Sequence, residues 1–335
     1  MIRDAIEKVV NKQDLTAQEA YEVMLEMMSE DSSQMLTASY LTALRMKGET
    51  IDEITGSAKG MRERAIRILD DEEVLEIVGT GGDKANSFNI STASSIVVAA
   101  YGIPVAKHGN RSVSSKCGAA DVLEALGANI SMSPMRCTEV LKETNFTFMF
   151  AQVYHSAMRF VGPVRKELGL RTIFNILGPL TNPAGASYQL MGVYSEDLVE
   201  PMAQVLLNLG VKSGMVVYGQ DCLDEISLSA KTKCCAFHNG ETETFVFDPT
   251  EYGFTMCTKE DLIGGGPAEN AQILRDIFDG VKGPKRDAVV LNSAACIYML
   301  EEGTSMADAI KKAQDVIDSG KAKAKLEEFV AATNK

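Results

Sequence analysis

The sequence predicts an α/β protein built as a small N-terminal helical-bundle domain followed by a large domain with a mainly parallel sheet flanked by helices. Two observations carry this. Residues 1 to about 67 hold apolar residues at helical spacing throughout. Beyond them, short apolar runs alternate with helical patterns about every 30 residues, the signature of βαβ units. A chain of 335 residues that is 45% hydrophobic has ample material for a core.

In the first segment, Ile2, Ala5, Ile6 and Val9 follow the i, i+3, i+4, i+7 rule, and Ala20, Val23, Met24, Met27 and Met28 repeat it. Thr16 with Glu19 and Thr50 with Glu53 read as capping boxes, and Gly48 stops a helix just before the second. The result is a bundle of four helices, with the methionine stripe as core or as a subunit interface. After the acidic "LDDEE", strands are expected at 74–78, 104–107, 146–150, 189–194 and 214–218, with helices at 91–101, 117–126, 134–144 and 197–209. Residues 151–187 break the alternation with Gly- and Pro-punctuated helical pieces, an excursion from the sheet back toward the bundle. A hairpin turns at "HNGE", and closing helices follow in "AENAQILRDIFDG", "RDAVVLNSAACIYML" and "SMADAIKKAQDVIDSG". The domain boundary is placed between residues 70 and 71, with about 158–182 joining the helical domain.

A net charge of −13 argues against a nucleic-acid or anionic-membrane surface, both of which need clustered cations. No run of 18 apolar residues occurs, and the N-terminus mixes charges where a signal peptide needs an apolar stretch, so a cytoplasmic protein is expected. Seven cysteines without a C-x-x-C pair, and only three histidines, speak for reduced thiols rather than a zinc site.

An acidic protein can still bind a phosphorylated small molecule through backbone amides, a few placed cations and metal ions. "GTGGD" (79–83) follows a strand. It is neither a Walker A loop nor a dinucleotide fingerprint, since Lys84 stands where the third glycine belongs. It reads as a tight strand-to-helix turn or as an anion cradle leading into "NIST", where Asn89, Ser91 and Thr92 open a helix. "KHGNRSVSSK" sets His108, Asn110, Arg111 and Lys116 in a loop whose strand ends 29 residues beyond Val78, so it should emerge beside the glycines. Asp224 and Glu225, with Asp221 nearby, form a solvated loop or a magnesium site. Arg165 and Arg171 suit a substrate carboxylate or a surface ion pair.

Together "GTGGD", "NISTAS", "KHGNRSVSSKCGAADVLEALG", "FNILGPLTNPAG" and the Asp-Glu pair resemble the anthranilate phosphoribosyltransferase family, over essentially the whole chain. "GTGGD" alone is shared with pyrimidine nucleoside phosphorylases of the same fold. The resemblance implies the nucleoside phosphorylase/phosphoribosyltransferase fold and a homodimer paired through the helical domain. The implied reaction transfers the phosphoribosyl group of 5-phosphoribosyl 1-diphosphate (PRPP) to the amino group of anthranilate, giving N-(5-phosphoribosyl)anthranilate and diphosphate, the second step of tryptophan biosynthesis from chorismate. It implies Mg²⁺, two ions per subunit when PRPP is bound, and possible association with anthranilate synthase.

By the same resemblance Gly79, Thr80, Gly81, Gly82, Asp83, Ser87, Asn89, Ser91, Thr92, Lys107 and Ser115 would bind PRPP. Ser91, Asp224 and Glu225 would hold the metal. Gly79, His108, Asn110, Met158 and Arg165 would face anthranilate, with Arg165 on its carboxylate. Lys107, Asn110 and Arg165 would act by positioning and electrostatics. The chain departs from the family pattern at Gln152 and Ser156, on the wall of the implied anthranilate channel, and at Cys117, where serine is usual. The rivals are a nucleoside phosphorylase and a non-catalytic nucleic-acid-binding relative; the latter should be basic.

Overall fold

The structure, a computed structural model, describes residues 1–68, 72–112 and 115–335. The expected boundary at 70/71 therefore lies outside the described residues, as do Val113 and Ser114 of the "RSVSSK" loop. Helices α1 (Ile2–Val10), α2 (Ala17–Met27), α3 (Gln34–Lys47) and α4 (Ile51–Glu63) form the bundle. Both capping boxes close: the Glu19 amide donates to Thr16 Oγ1 at 3.2 Å, and the Thr16 amide returns to Glu19 at 3.0 Å. Met24, Met27 and Met28 pack with Val23 and Leu41, so the methionine stripe is core. Gly56 and Gly60 let α4 lie directly against Ala17, Tyr21 and Met24 of α2, where a Cβ would collide.

The sheet then builds through β1 (Leu75–Gly79), α5 (Ile90–Tyr101), β2 (Val105–Gly109), α6 (Ala119–Ala125), α7 (Pro134–Thr144) and β3 (Phe146–Phe150). The excursion contributes α8 (Ala151–Tyr154), α9 (Met158–Leu168) and α10 (Phe174–Leu177) before β4 (Tyr188–Gly192), α11 (Val199–Asn208) and β5 (Ser213–Gly219). A hairpin of β6 (Thr232–His238) and β7 (Glu241–Phe247) precedes α12 (Pro267–Phe278), α13 (Pro284–Leu300), α14 (Met306–Asp318) and α15 (Lys321–Thr333). The expected strands and helices are present with ends shifted by one or two residues. The exception is α15, a helix the sequence reading did not separate: its N-cap is Gly320, with no side chain to announce it.

Strand order is β3-β2-β1-β4-β5-β6-β7, parallel from β3 to β5 and antiparallel at the hairpin edge. The chain runs outward from β1 to β3, then returns to start again at β4 on the other side of β1. The crevice between the carboxyl ends of β1 and β4 is thus a topological switch point, where ligands bind in such sheets. One core lies between the sheet and the α5–α7 and α12–α15 layer. The other joins α11, the opposite sheet face and the bundle, and it includes Val161, Val164, Phe174 and Leu177 of the excursion. The excursion does return to the bundle.

Glu53 is fully buried and accepts from Lys47 Nζ at 3.0 Å, the Leu15 amide at 3.0 Å and the Thr50 amide at 2.8 Å. Replacing it with Ala leaves the buried Lys47 only the exposed Asp14 carboxylate and the Gly48 carbonyl, and leaves the Leu15 and Thr50 amides unpaired. Glu53→Ala is expected to cost about 3 kcal/mol, visible as a lower thermal midpoint, whereas Glu19→Ala on the exposed capping box should shift it far less.

Candidate active site

The site begins with two glycines facing each other across the switch point. Gly79 ends β1 in register with Gly192 of β4. A Cβ at Gly79 would overlap the Asp224 carboxylate, and one at Gly192 would overlap the Asp224 backbone carbonyl. Their bareness lets the loop after β5 lie over both strand ends. The Thr80 amide donates to the Gly192 carbonyl at 3.0 Å, and the Tyr194 amide to Thr80 Oγ1 at 3.1 Å, stitching the crevice shut.

Beyond Thr80, Gly81 and Gly82 take φ of +67° and +74°, and Lys84 and Asn86 also lie in the left-handed region, where a non-glycine residue is strained. The Gly81 amide donates to Asp224 Oδ2 at 2.6 Å. The amides of Gly82, Asp83 and Lys84 find no acceptor among the described residues. Amides without an acceptor after two left-handed glycines are the backbone pattern from which anion-binding concavities are made. The segment after it is anchored: Ser87 bridges Ile263, and the Phe88 amide donates to the Leu262 carbonyl at 3.0 Å.

The N-terminus of α5 supplies the second wall. The Ser91 amide donates to Glu225 at 3.1 Å, which ties the helix to the acidic loop. Asn89 is committed at both ends, donating to the Cys117 carbonyl at 3.2 Å and accepting from Asn270 at 2.8 Å. It pins the "SSKC" loop to α5 rather than standing free. Thr92 is buried with its hydroxyl unpartnered among the described residues.

Lys107 is buried on β2, donating from Nζ to the Ile77 carbonyl at 2.6 Å and to Ser91 Oγ at 3.1 Å. Burial lowers its pKa against the pull of Glu225, Glu76 and Asp224. Burial likewise lifts Asp224 well above the carboxylate range, helped by the neighbouring Asp83 and Glu225 charges, and pushes Glu225 up to about 7 and Glu76 to about 8. Lys107, with the Arg62 guanidinium acting on Glu76, is the positive charge set against these carboxyls. A divalent cation would add to it, and Ser91, Asp224 and Glu225 are the residues that could hold one. Among the described residues no group of three or more His, Cys, Asp or Glu side chains is arranged as a metal cage. A hard ion here would fill its shell with water and phosphate oxygens, as Mg²⁺ does.

The remaining loop and the excursion form a second chamber. The His108 and His155 rings lie 5.0 Å apart between centroids, tilted by 55°, and both are buried. Burial brings them to about 3 and about 4, against the Gly178 and Thr181 backbone that faces them, so both are neutral at pH 7, and His108 Nε2 has no partner among the described residues. Arg165 is half-buried over the Phe174 ring at 5.1 Å, and no carboxylate pairs with it among the described residues. Met158 is half-buried at the head of α9. Asn110 is exposed, and Ser115 pairs with Ser112 at 3.0 Å. Arg111, in contrast, bridges Asp121 at 3.0 Å and Glu124 at 2.8 Å on α6 and belongs to the loop's own scaffold.

Of the family departures, Gln152 and Ser156 are exposed, while Cys117 is buried and acts through its carbonyl. The sequence reading missed Gly192, whose only signal is a glycine closing the apolar run "QLMG", together with Glu76 and His155.

A glycine cradle, a helix N-terminus and buried acids at a switch point define a class of α/β protein that handles an anionic, metal-carried substrate. Comparison makes this specific. Residues 71–323 match the model described as glycosyl transferase family, a/b domain, and residues 3–65 its helical bundle domain. The chain is 61% identical over 335 residues to anthranilate phosphoribosyltransferase of Lachnoclostridium phytofermentans, covering all of both chains. The crystal structure of that enzyme from Thermus thermophilus superposes with a TM-score of 0.93 at 42% identity, covering 99% of this chain and 100% of that one. The Saccharomyces cerevisiae enzyme, determined with PRPP and Mg, gives 0.91 at 27% identity over 99% of this chain and 98% of that one; it has also been determined with 4-fluoroanthranilate. The chain belongs to the anthranilate phosphoribosyltransferase family.

Gly192→Ala tests the crossing of the acidic loop. A methyl there must push the Asp224 backbone away, and a shift of this size is expected to lower turnover about 10²-fold or more while far-UV circular dichroism stays unchanged.

Proposed function

We propose that this chain transfers the 5-phosphoribosyl group of PRPP to the amino group of anthranilate, releasing diphosphate. The observation that carries the reading is the meeting of three free loop amides, the α5 N-terminus and the Asp224–Glu225 pair at one switch point. Arg165 and His155 belong to the excursion, which reaches the glycine loop through Arg171, and His108 is on β2 beside His155.

Breaking the bond from the anomeric carbon to diphosphate leaves positive charge on the ribose ring and negative charge on the leaving group. The amides of Gly82, Asp83 and Lys84, with the α5 dipole, hold phosphate oxygens without reorganising as that charge develops. Ser91, Asp224 and Glu225 would hold Mg²⁺, which would offset the diphosphate charge. Lys107, locked between Ile77 and Ser91, keeps α5 in register with β1 and β2. An aromatic amine already carries a usable lone pair, so attack needs no strong base. Arg165 suits the acceptor carboxylate with a planar pair of donors, and His108 offers a hydrogen bond without adding charge. Burial of this chamber keeps out water that would hydrolyse PRPP.

We also read the chain as two domains divided near residue 70, with two Mg²⁺ per subunit when PRPP is bound. We place it in the cytoplasm, as a homodimer pairing through the bundle, with association with anthranilate synthase as a further partner reading. Exposed Val10 and Met46 on α1 and α3 are apolar surface that pairing could cover. Among the described residues no helix is long and apolar enough to cross a membrane.

The test is loss of anthranilate fluorescence on addition of PRPP and Mg²⁺; the chain has no tryptophan to raise the background. No consumption, or phosphate-dependent cleavage of uridine instead, would sink the reading. The pair Asp224→Asn with Glu225→Gln should lower kcat about 10³-fold; unchanged kinetics at limiting Mg²⁺ would take both residues out of the metal role. Arg165→Met should raise KM for anthranilate at least about tenfold and leave that for PRPP within about twofold.

A further inference from the structure

Arg165 and Arg171 were alike in the sequence, and the structure separates them. Arg171 leaves the acceptor chamber and reaches the glycine loop, donating from Nη2 to the Gly82 carbonyl. Its guanidinium carbon lies 4.0 Å from the centre of the Tyr194 ring, which supports it from the β4 side. Tyr194 is itself fixed to the loop by its amide on Thr80 Oγ1 at 3.1 Å. Arg171 has no carboxylate partner among the described residues, so its charge is directed at the loop alone.

The geometry points to Arg171 as a positioning residue that orients and polarises the Gly82–Asp83 peptide for the phosphate-bearing substrate. The inference rests on the reading of that loop as the PRPP cradle. A trans peptide is planar, with its carbonyl and its N–H on opposite sides. A guanidinium holding the Gly82 oxygen therefore sends the Asp83 N–H the other way, into the concavity where the amides of Gly82, Asp83 and Lys84 stand free. Gly82, at φ +74°, has no side chain to fix this plane and would otherwise let it rotate. A cation on the acceptor end also strengthens the donor at the other end of the same peptide. Tyr194 holds the guanidinium flat by stacking, a role its ring fills without the hydroxyl.

The test is steady-state kinetics of the full chain with each substrate varied in turn. Arg171→Met is expected to raise KM for PRPP about tenfold or more, the scale of one charge-assisted hydrogen bond, and to leave KM for anthranilate within about twofold. Arg171→Lys, which keeps a donor but loses the planar stack, should fall between. Tyr194→Leu should reproduce part of the Arg171→Met effect, and Tyr194→Phe should restore KM for PRPP to near wild type. Combining Arg171→Met with Tyr194→Leu should add little to the first alone.

An unchanged KM for PRPP in Arg171→Met, or a rise confined to anthranilate, would overturn the inference. So would an equal loss in Tyr194→Phe and Tyr194→Leu. Wild-type protein that never consumes anthranilate with PRPP would instead overturn the reading on which the inference rests. The two failures are told apart by the wild-type control.

Discussion

The structure depends on an electrostatic imbalance at the carboxyl ends of β1, β2 and β4. Glu76, Asp224 and Glu225 are buried near Lys107, with the Arg62 guanidinium also acting on Glu76, and burial raises the pKa of every one of these carboxyls. A protein built only for stability would replace such a cluster with apolar side chains, because desolvated charges seldom return their cost. Here the cluster gains its missing charge from outside. On the proposed reading, a divalent ion carried in with a polyphosphate would supply it, so the arrangement that burdens the empty protein would favour the loaded one.

Keeping the cluster together takes crowding that only certain residues permit. Gly79 and Gly192 give way to Asp224, and the Ser91 amide anchors Glu225. The Ile226 amide donates to Asn292 at 3.0 Å, and Asn292 donates back to the Ile226 carbonyl at 2.9 Å, fixing the far end of the same loop on α13. The acidic loop is thus held at both of its ends by the helical layer of α5 and α13. The second chamber is supported differently. His155, Met158 and Arg165 ride on the excursion, which shares a core with the bundle, whereas His108 is on β2. The excursion reaches the glycine loop through bonds such as that from Arg171 to Gly82.

Much of this was readable from local pattern. Strands such as "FTFMF" and both capping boxes have strong short-range signals, and "GTGGD" marked its own turn. Asp224 and Glu225 were visible as a pair after a strand. What stayed hidden required knowledge of who stands beside whom. Gly192 matters because β4 returns to lie beside β1, a long-range event that "QLMG" does not announce. Asn89 looked like a free phosphate ligand, yet Asn270, 181 residues away, claims its oxygen. Arg165 and Arg171 differ only in what the fold places opposite them. The left-handed Lys84 breaks the usual preference for glycine or asparagine, so no propensity rule finds it, whereas Asn86 is of a type that visits this region.

The most direct measurement is a crystal structure of the protein with PRPP and Mn²⁺ in place of Mg²⁺, with the metal located by its anomalous signal. The account predicts a peak against Ser91, Asp224 and Glu225, and substrate phosphate oxygens on the amides of Gly82 to Lys84. Metal and phosphate bound elsewhere, with those amides still turned to solvent, would contradict it.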